Sequence, residues 1–463
     1  MLKNINLPIA LLAVGLLFAL VIPMVLAPEG TAYVISIFYN IMTIDFPWAL
    51  MLIAFLSAVF AIFIMFSKYG DIRLGGNGAK PHYKTFSWAA MNMCSAAGAG
   101  IFIFGMVEWM YYVKTPPFGV IPDSVQAYEY ASAYGMFHWG FSAWAIYLPV
   151  SLALGYMFWN KKVDSLNLSD LCKSVLKGDS IPVRIIRKII DGLVAFGYIG
   201  GLVCTVGLGT SILAELAGYL LGFEVTFTLR IAVILIFCLF FILSTSKSIA
   251  KGISIISDFN VKLALGFFIF ILLVGPTSFI LNNFTMAVGT NIREFVHMSF
   301  NTDAIAQTGF VQQWTVFYWA WYLGCTISDG LWLARVSYGR TFREIAIVRC
   351  IWTTLACGAT AASTVVATLT SKNLKNDEEP ASWYKVFWAF LVLLLPVGIL
   401  FLEHMVPGLN VLTTIQSVTT IMAIPLSAVI VLLLVTFYKT LRKDIRKKEL
   451  YVDDVNKDKW NAV

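Results

Sequence analysis

Residues 312–334 read QQWTVFYWAWYLGCTISDGLWLA, and whether that stretch is a soluble core helix or a membrane span decides the fold. It carries a single charge, Asp329. At about 1.5 Å of rise per residue it is long enough as a helix to cross a ~30 Å hydrocarbon layer. Working outward, comparable apolar runs lie near 7–26, 47–66, 86–113, 131–159, 188–221, 229–246, 260–282, 344–369, 385–402 and 411–438. Hydrophobic residues make up 59% of the chain and charged residues 13%, against roughly 25% charged in a soluble domain. No soluble core uses that much apolar surface. The chain reads as an all-α polytopic membrane protein, with 7–26 as its first membrane helix, since that run is too long for the apolar region of a secretory signal.

Loop charge gives a topology. The net charge of +7 does not lie on one basic face, which excludes a nucleic-acid footprint. Segments 67–85, 160–188, 245–262 and 335–349 are rich in Lys and Arg, while 27–46, 115–130 and 402–410 hold none. By the positive-inside rule the basic loops, the tail 439–463 and both termini are cytoplasmic, in a cell membrane. The alternation fails once. Lys372 and Lys375 place 371–384 on the same side as 335–349, yet 344–369 supplies only 26 residues where two crossings need about 40. Either this stretch re-enters without spanning, or a helix present in relatives is absent. Segment 283–300 reads as an amphipathic helix lying on the outer face, or as an ordinary outer loop, and 166–176 as a shorter inner counterpart.

Three groups of residues carry chemistry. Ser95-Ala96-Ala97-Gly98-Ala99-Gly100 in the third run is either a close-packing face or a break whose freed carbonyls hold an ion near the midplane. Glu108 follows it, and a carboxylate at that depth is costly unless paired or solvated. Aromatics crowd two other runs, Phe137-His138-Trp139-Gly140-Phe141-Ser142-Ala143-Trp144-Ala145-Ile146-Tyr147 and Trp314 to Tyr322. At about 100° per residue Tyr318, Tyr322, Cys325 and Asp329 share one helix face, with Trp319 beside Tyr322. Stacked rings of this kind attract a quaternary ammonium by about 2 kcal/mol or more per contact once desolvated. Interfacial anchoring is the alternative for Trp314, and a buried structural acid or a proton carrier for Asp329. Seven cysteines without metal spacing read as buried thiols, and the histidines at 82, 138, 297 and 404 form no catalytic constellation, so no enzyme is implied.

The blocks Phe137-His138-Trp139-Gly140 with Trp144-Ala145-Ile146-Tyr147, Trp314 to Trp321, and Ala334-Arg335-Val336-Ser337-Tyr338-Gly339-Arg340-Thr341-Phe342-Arg343-Glu344 resemble the betaine/carnitine/choline transporter family over about residues 10–440. Glu108-Trp109-Met110-Tyr111-Tyr112 followed by Thr115-Pro116-Pro117-Phe118-Gly119 looks most like its carnitine/butyrobetaine exchangers. The resemblance implies two N-terminal helices in 1–66, a first inverted repeat in 86–282, the interfacial helix 283–300 and a second repeat in 312–438, shortened near Gly358. These repeats are leucine-transporter-like, and a homotrimer in the lipid bilayer is implied with them. Its substrate cage falls on Tyr111, Trp139, Trp144, Trp319, Trp321 and Tyr322, with Trp314 at an outer secondary site. Tyr322 stands where most members have Trp, and Cys325 where they have a large aromatic, which widens the pocket.

The resemblance also locates the coupling residues, at Ala97, Gly98, Gly100, Asn260 and Asp329. Two of the three glycines of the sodium-coupled run are present, and neither Asn260 nor Asp329 supplies the fixed positive charge of sodium-independent members. No resident cofactor is implied beyond Na+ or H+ as a coupling ion. The expected activity is uptake of a small betaine, choline or carnitine-type cation by an ion gradient. Ion-independent exchange of trimethylammonium compounds is one alternative, and a degenerate protein that binds without transporting is another.

Overall fold

The computed structural model describes residues 6–96, 108–163, 167–173, 175–245, 257–259, 261–263, 266, 269–270, 273–352 and 382–446. Among them the chain is helical, and the sole β feature is an isolated antiparallel bridge between Arg73 and Thr341. Among the described residues four stretches are long and apolar enough to cross a membrane, Leu7–Leu26, Pro47–Phe66, Val125–Asn160 and Val411–Arg446. The protein is a polytopic α-helical membrane protein.

The first helix, α1 (Leu7–Leu26), is apolar on every side. Ile9, Ala13, Leu17 and Met24 are buried while Leu7, Leu11, Phe18 and Ile22 are exposed, as expected of a helix with one protein-facing stripe and lipid around the rest. Pro28–Asn40 (α2) follows, running into a π-helical turn at Ile41–Asp45, so most of the segment expected as loop 27–46 is helical. Its lack of Lys and Arg hides this, because loop charge bears on sidedness and not on backbone conformation. Pro47 opens α3 (Pro47–Phe66), and Thr85–Ala96 forms α4. The small-residue run therefore starts in helix, while Ala97, Gly98 and Gly100 lie outside the described residues, as do Asn260 and Gly358.

The apolar run 131–159 is two helices, α5 (Val125–Trp139) and α6 (Phe141–Gly155), interrupted at Gly140. A Cβ at Gly140 would come 2.2 Å from the Met136 carbonyl oxygen, so the chain can turn there only without a side chain. Beyond the single turn Leu168–Leu171 come α7 (Ile181–Leu221) and α8 (Phe227–Thr245). Helix α9 (Thr277–Phe300) begins at Thr277, ahead of the expected start at 283, because Pro276 lacks an N–H and sets φ for a helix start. A π-helical turn, Val311–Val316, leads into α10 (Phe317–Val336). Thr341 then caps α11 (Phe342–Ile347) through a capping box with Glu344. Ser382–Met405 (α12) and Val411–Arg446 (α13) complete the described chain, so the first residues of the expected tail 439–463 continue a helix.

Helix α10 is the centre of the bundle, packed along α6 and against α7 and α13. Its close approach to α7 has a specific cause: a Cβ on Gly201 would lie 2.5 Å from Cys325 Sγ. In lipid, where apolar burial drives helices together only weakly, such small-residue contacts supply the packing. Cys325 accordingly sits against α7, where the sequence reading had it widening a pocket.

Candidate functional site

The interruption at Gly140 ends α5 at Trp139 and frees the His138 carbonyl from the helical ladder. Tyr322 of α10 donates its hydroxyl to that oxygen at 2.8 Å. The hydroxyl that distinguishes Tyr322 from the tryptophan expected there thus satisfies a broken helix end.

Four rings close around this point. Trp139 meets Tyr322 edge-on with centroids 6.0 Å apart, Trp321 at 5.9 Å and Tyr318 at 5.3 Å. Trp144 lies 6.2 Å from Tyr322 on the α6 side, with Tyr147 behind both. Trp144 Nε1 is buried without a hydrogen-bond partner. Trp321 donates its Nε1 to the Gly201 carbonyl at 3.1 Å, which fixes its ring to α7. Trp139, Trp144, Trp321 and Tyr322 are therefore brought together.

Two of the expected cage residues sit elsewhere. Trp319 packs on Phe137 at 5.4 Å and on His138, joining the cluster through Tyr322. Tyr111 is 47% exposed and packs at a tilt against Trp314, 5.5 Å away. Its neighbour Tyr112 is the one buried inward, on His138 Nδ1 and beside the Trp314 ring. Trp314 itself is buried among Tyr111, Tyr112 and Tyr318.

At the base of the rings is Glu108, 3% exposed. Its Oε2 accepts from Trp139 Nε1 at 3.1 Å and from Tyr318 OH at 2.5 Å. These charge-assisted bonds offset the cost of a buried carboxylate, and they tie two rings to one anionic centre. Sequence reasoning singled out Glu108 as a group in need of partners but left Tyr318 outside the cage, although helical phase already put it on the Tyr322 face. The arrangement offers π faces and an acidic group within a buried space, which is what a bulky organic cation recruits.

A second centre lies toward the basic loops. Arg349, fully buried, donates to Asp329 Oδ2 and, at 2.9 Å, to the Asn92 carbonyl of α4. Its guanidinium carbon sits 4.7 Å from the Tyr147 ring centroid and 5.6 Å from that of Trp144. A fixed cation therefore adjoins the aromatic cluster, from a segment that the sequence reading places in a basic loop. With its carboxylate engaged by a guanidinium, Asp329 is a poor ligand for sodium. Among the described residues no three or more His, Cys, Asp or Glu side chains gather into a metal-binding cluster.

A helical membrane bundle with an interrupted helix and an aromatic cluster resting on a buried carboxylate defines the class: a polytopic membrane protein with an aromatic-lined core. Comparison places it further. The profile of the betaine/carnitine/choline family transporters matches residues 8–360 and 349–446, and the chain belongs to that family. It is a family of transporters, not of enzymes. The match comes in two overlapping pieces, divided where the loop-charge alternation fails. A carnitine transporter of Acinetobacter baumannii is 35% identical over 300 residues, covering 65% of this chain and 54% of that protein. The glycine betaine transporter OpuD of Bacillus subtilis is 33% identical over 350 residues, covering 75% and 67%. An uncharacterized transporter of Escherichia coli, YeaV, is 27% identical over 445 residues, covering 83% and 90%. The chain thus spans about half the length of the carnitine transporter it matches.

Proposed function

We propose that the chain is a secondary active transporter of a small quaternary ammonium compound of the betaine, choline or carnitine type, working in the cell membrane with both termini cytoplasmic. The observation that carries this reading is the box of Trp139, Trp144, Trp321 and Tyr322 around the break at Gly140, with Glu108 beneath it. A trimethylammonium group has no N–H to donate, so selection by π faces and a nearby negative charge suits it better than a hydrogen-bonding site would. Trp319, packed one layer out, positions Tyr322. Tyr111 and Trp314 would form an outer station on the way in. Leucine-transporter-like inverted repeats, with the second one shortened, and a homotrimer belong to this reading. The two-piece family match supports the shortening.

Uptake of radiolabelled glycine betaine or carnitine into proteoliposomes tests it. Trp144→Ala is expected to lower apparent affinity by roughly thirtyfold, the equivalent of about 2 kcal/mol of cation–π attraction. Unchanged uptake at equal protein levels removes the cage.

Coupling has a second reading, which the Asp329–Arg349 pair favours. A guanidinium already neutralises the acid that would hold a coupling ion, so ion-independent exchange of one trimethylammonium compound for another fits this chain better than sodium symport. Uptake that needs internal substrate and ignores the sodium gradient is the expected result, and sodium-driven accumulation without internal substrate would reject it. Binding without any uptake would mark a degenerate, non-transporting protein.

A further inference from the structure

At the end of the bundle away from the basic loops, the connection between α9 and α10 holds a buried acid. Asp303 is 3% exposed. Its Oδ2 accepts hydrogen bonds from Thr308 Oγ1 at 3.0 Å and from the Gly309 N–H at 2.8 Å. Its Oδ1, equally shielded from water, has no hydrogen-bond partner. A carboxylate oxygen buried without a donor is costly, and a cation is what relieves that cost.

Gln312 repeats the pattern. Its Nε2 donates to the Thr302 carbonyl at 3.3 Å. A carbonyl only accepts, so this bond settles which end of the amide faces it. Gln312 Oε1 is then left buried with no donor. Both residues line a cavity of about 540 Å³ that is also walled by Asp45, at the end of the π-helical turn, and Trp48, at the start of α3. No Lys or Arg lines it. The residues around the pocket therefore include two carboxylates and an amide.

An anion would meet only like charge there, and a neutral solute would leave Asp303 Oδ1 without compensation. Oxygen donors and net negative charge are instead the ligand set of a hard cation. The roomy setting suits calcium's variable coordination better than the strict octahedron of magnesium. We propose that this pocket binds a hard divalent metal cation of the calcium type, held by Asp303 and Gln312 with Asp45 adding charge from the turn ahead of α3. The ion would join the loop ahead of α10 to the turn ahead of α3. This site is separate from the aromatic box and does not depend on the substrate assigned to it.

Terbium(III), which takes calcium's oxygen ligands and is excited through a neighbouring indole, reads the site directly when titrated into the purified full chain in detergent. A saturable sensitised emission, displaced by calcium, is expected, with Trp48 as the antenna. Trp48→Phe should dim the emission while calcium still raises the melting temperature. Asp303→Asn should weaken terbium binding by roughly tenfold or more, and Asp45→Asn by several-fold, as ligand charge is removed. Because Asp45 is exposed, its variant decides the matter even if the Asp303 variant does not fold. Absence of saturable emission, emission that survives excess calcium, or wild-type affinity in either folded carboxylate variant overturns the site.

Discussion

Tyr322 does two things at once. Its ring belongs to the aromatic box, and its hydroxyl satisfies the His138 carbonyl that the break at Gly140 frees. Tyr322→Phe keeps the ring and strands the carbonyl, so it is expected to cost about 1 kcal/mol of stability. The check is a lowered melting temperature in detergent with substrate affinity nearly unchanged. The Asp329–Arg349 pair calls for a cycle in place of single changes. Arg349→Gln or Asp329→Asn alone leaves a buried charge uncompensated, at about 3–5 kcal/mol, whereas the double variant should recover much of that loss. Additive losses in thermal unfolding would mean the two groups do not act as a pair. Neither partnership was legible in sequence. Glu108 and Asp329 could be seen to need partners, but Tyr318 is 210 positions from Glu108, and no helical phase connects such distant residues.

Helices α5 and α6 look like one span in sequence because glycine interrupts neither apolarity nor length. What interrupts the helix is backbone geometry, with no room for a Cβ against Met136. Gly140→Ala is accordingly expected to abolish substrate binding or folding, and binding of labelled betaine to membranes carrying wild-type levels of the variant checks it. The α7–α10 contact makes a subtler case. Gly201→Ala drives a methyl into Cys325 Sγ and should lower the melting temperature, by about 1–3 kcal/mol of overpacking. Adding Cys325→Gly removes the obstructing thiol and should restore part of it, which a merely propensity-based effect would not allow. Helix α2 was invisible to the same reading, since a segment without Lys or Arg says which side it lies on and nothing of its conformation.

Across the whole molecule, the ends of distant helices are fastened together on the basic side. Asp444 near the end of α13 accepts from Tyr156 OH and pairs with Lys161 at 2.5 Å. Arg343 of α11 donates to the Met65 and Ser67 carbonyls, both at 2.8 Å, and pairs with Asp71. Asp444→Asn should therefore destabilise the protein by about 1–3 kcal/mol, while Lys443→Gln at the exposed neighbouring position should be near neutral. Matching melting curves for the two variants would contradict the clamp. This explains why the helix outlasts the apolar run: polar contacts hold residues that hydropathy assigned to a tail.

The sequence alone determined the membrane class, the long apolar runs that form α1, α3 and α13, and the two aromatic-rich segments. Those follow from local rules, because hydrocarbon thickness sets span length and lipid leaves every backbone group to be satisfied within its own segment. Only the tertiary structure decided that Tyr112 and not Tyr111 points inward, that Glu108 gathers Trp139 and Tyr318, and that Arg349 closes on Asp329 beside Trp144. Each of these is a contact between separate helices, and in a chain where apolar residues face lipid and protein alike, composition cannot say which polar group will find which partner.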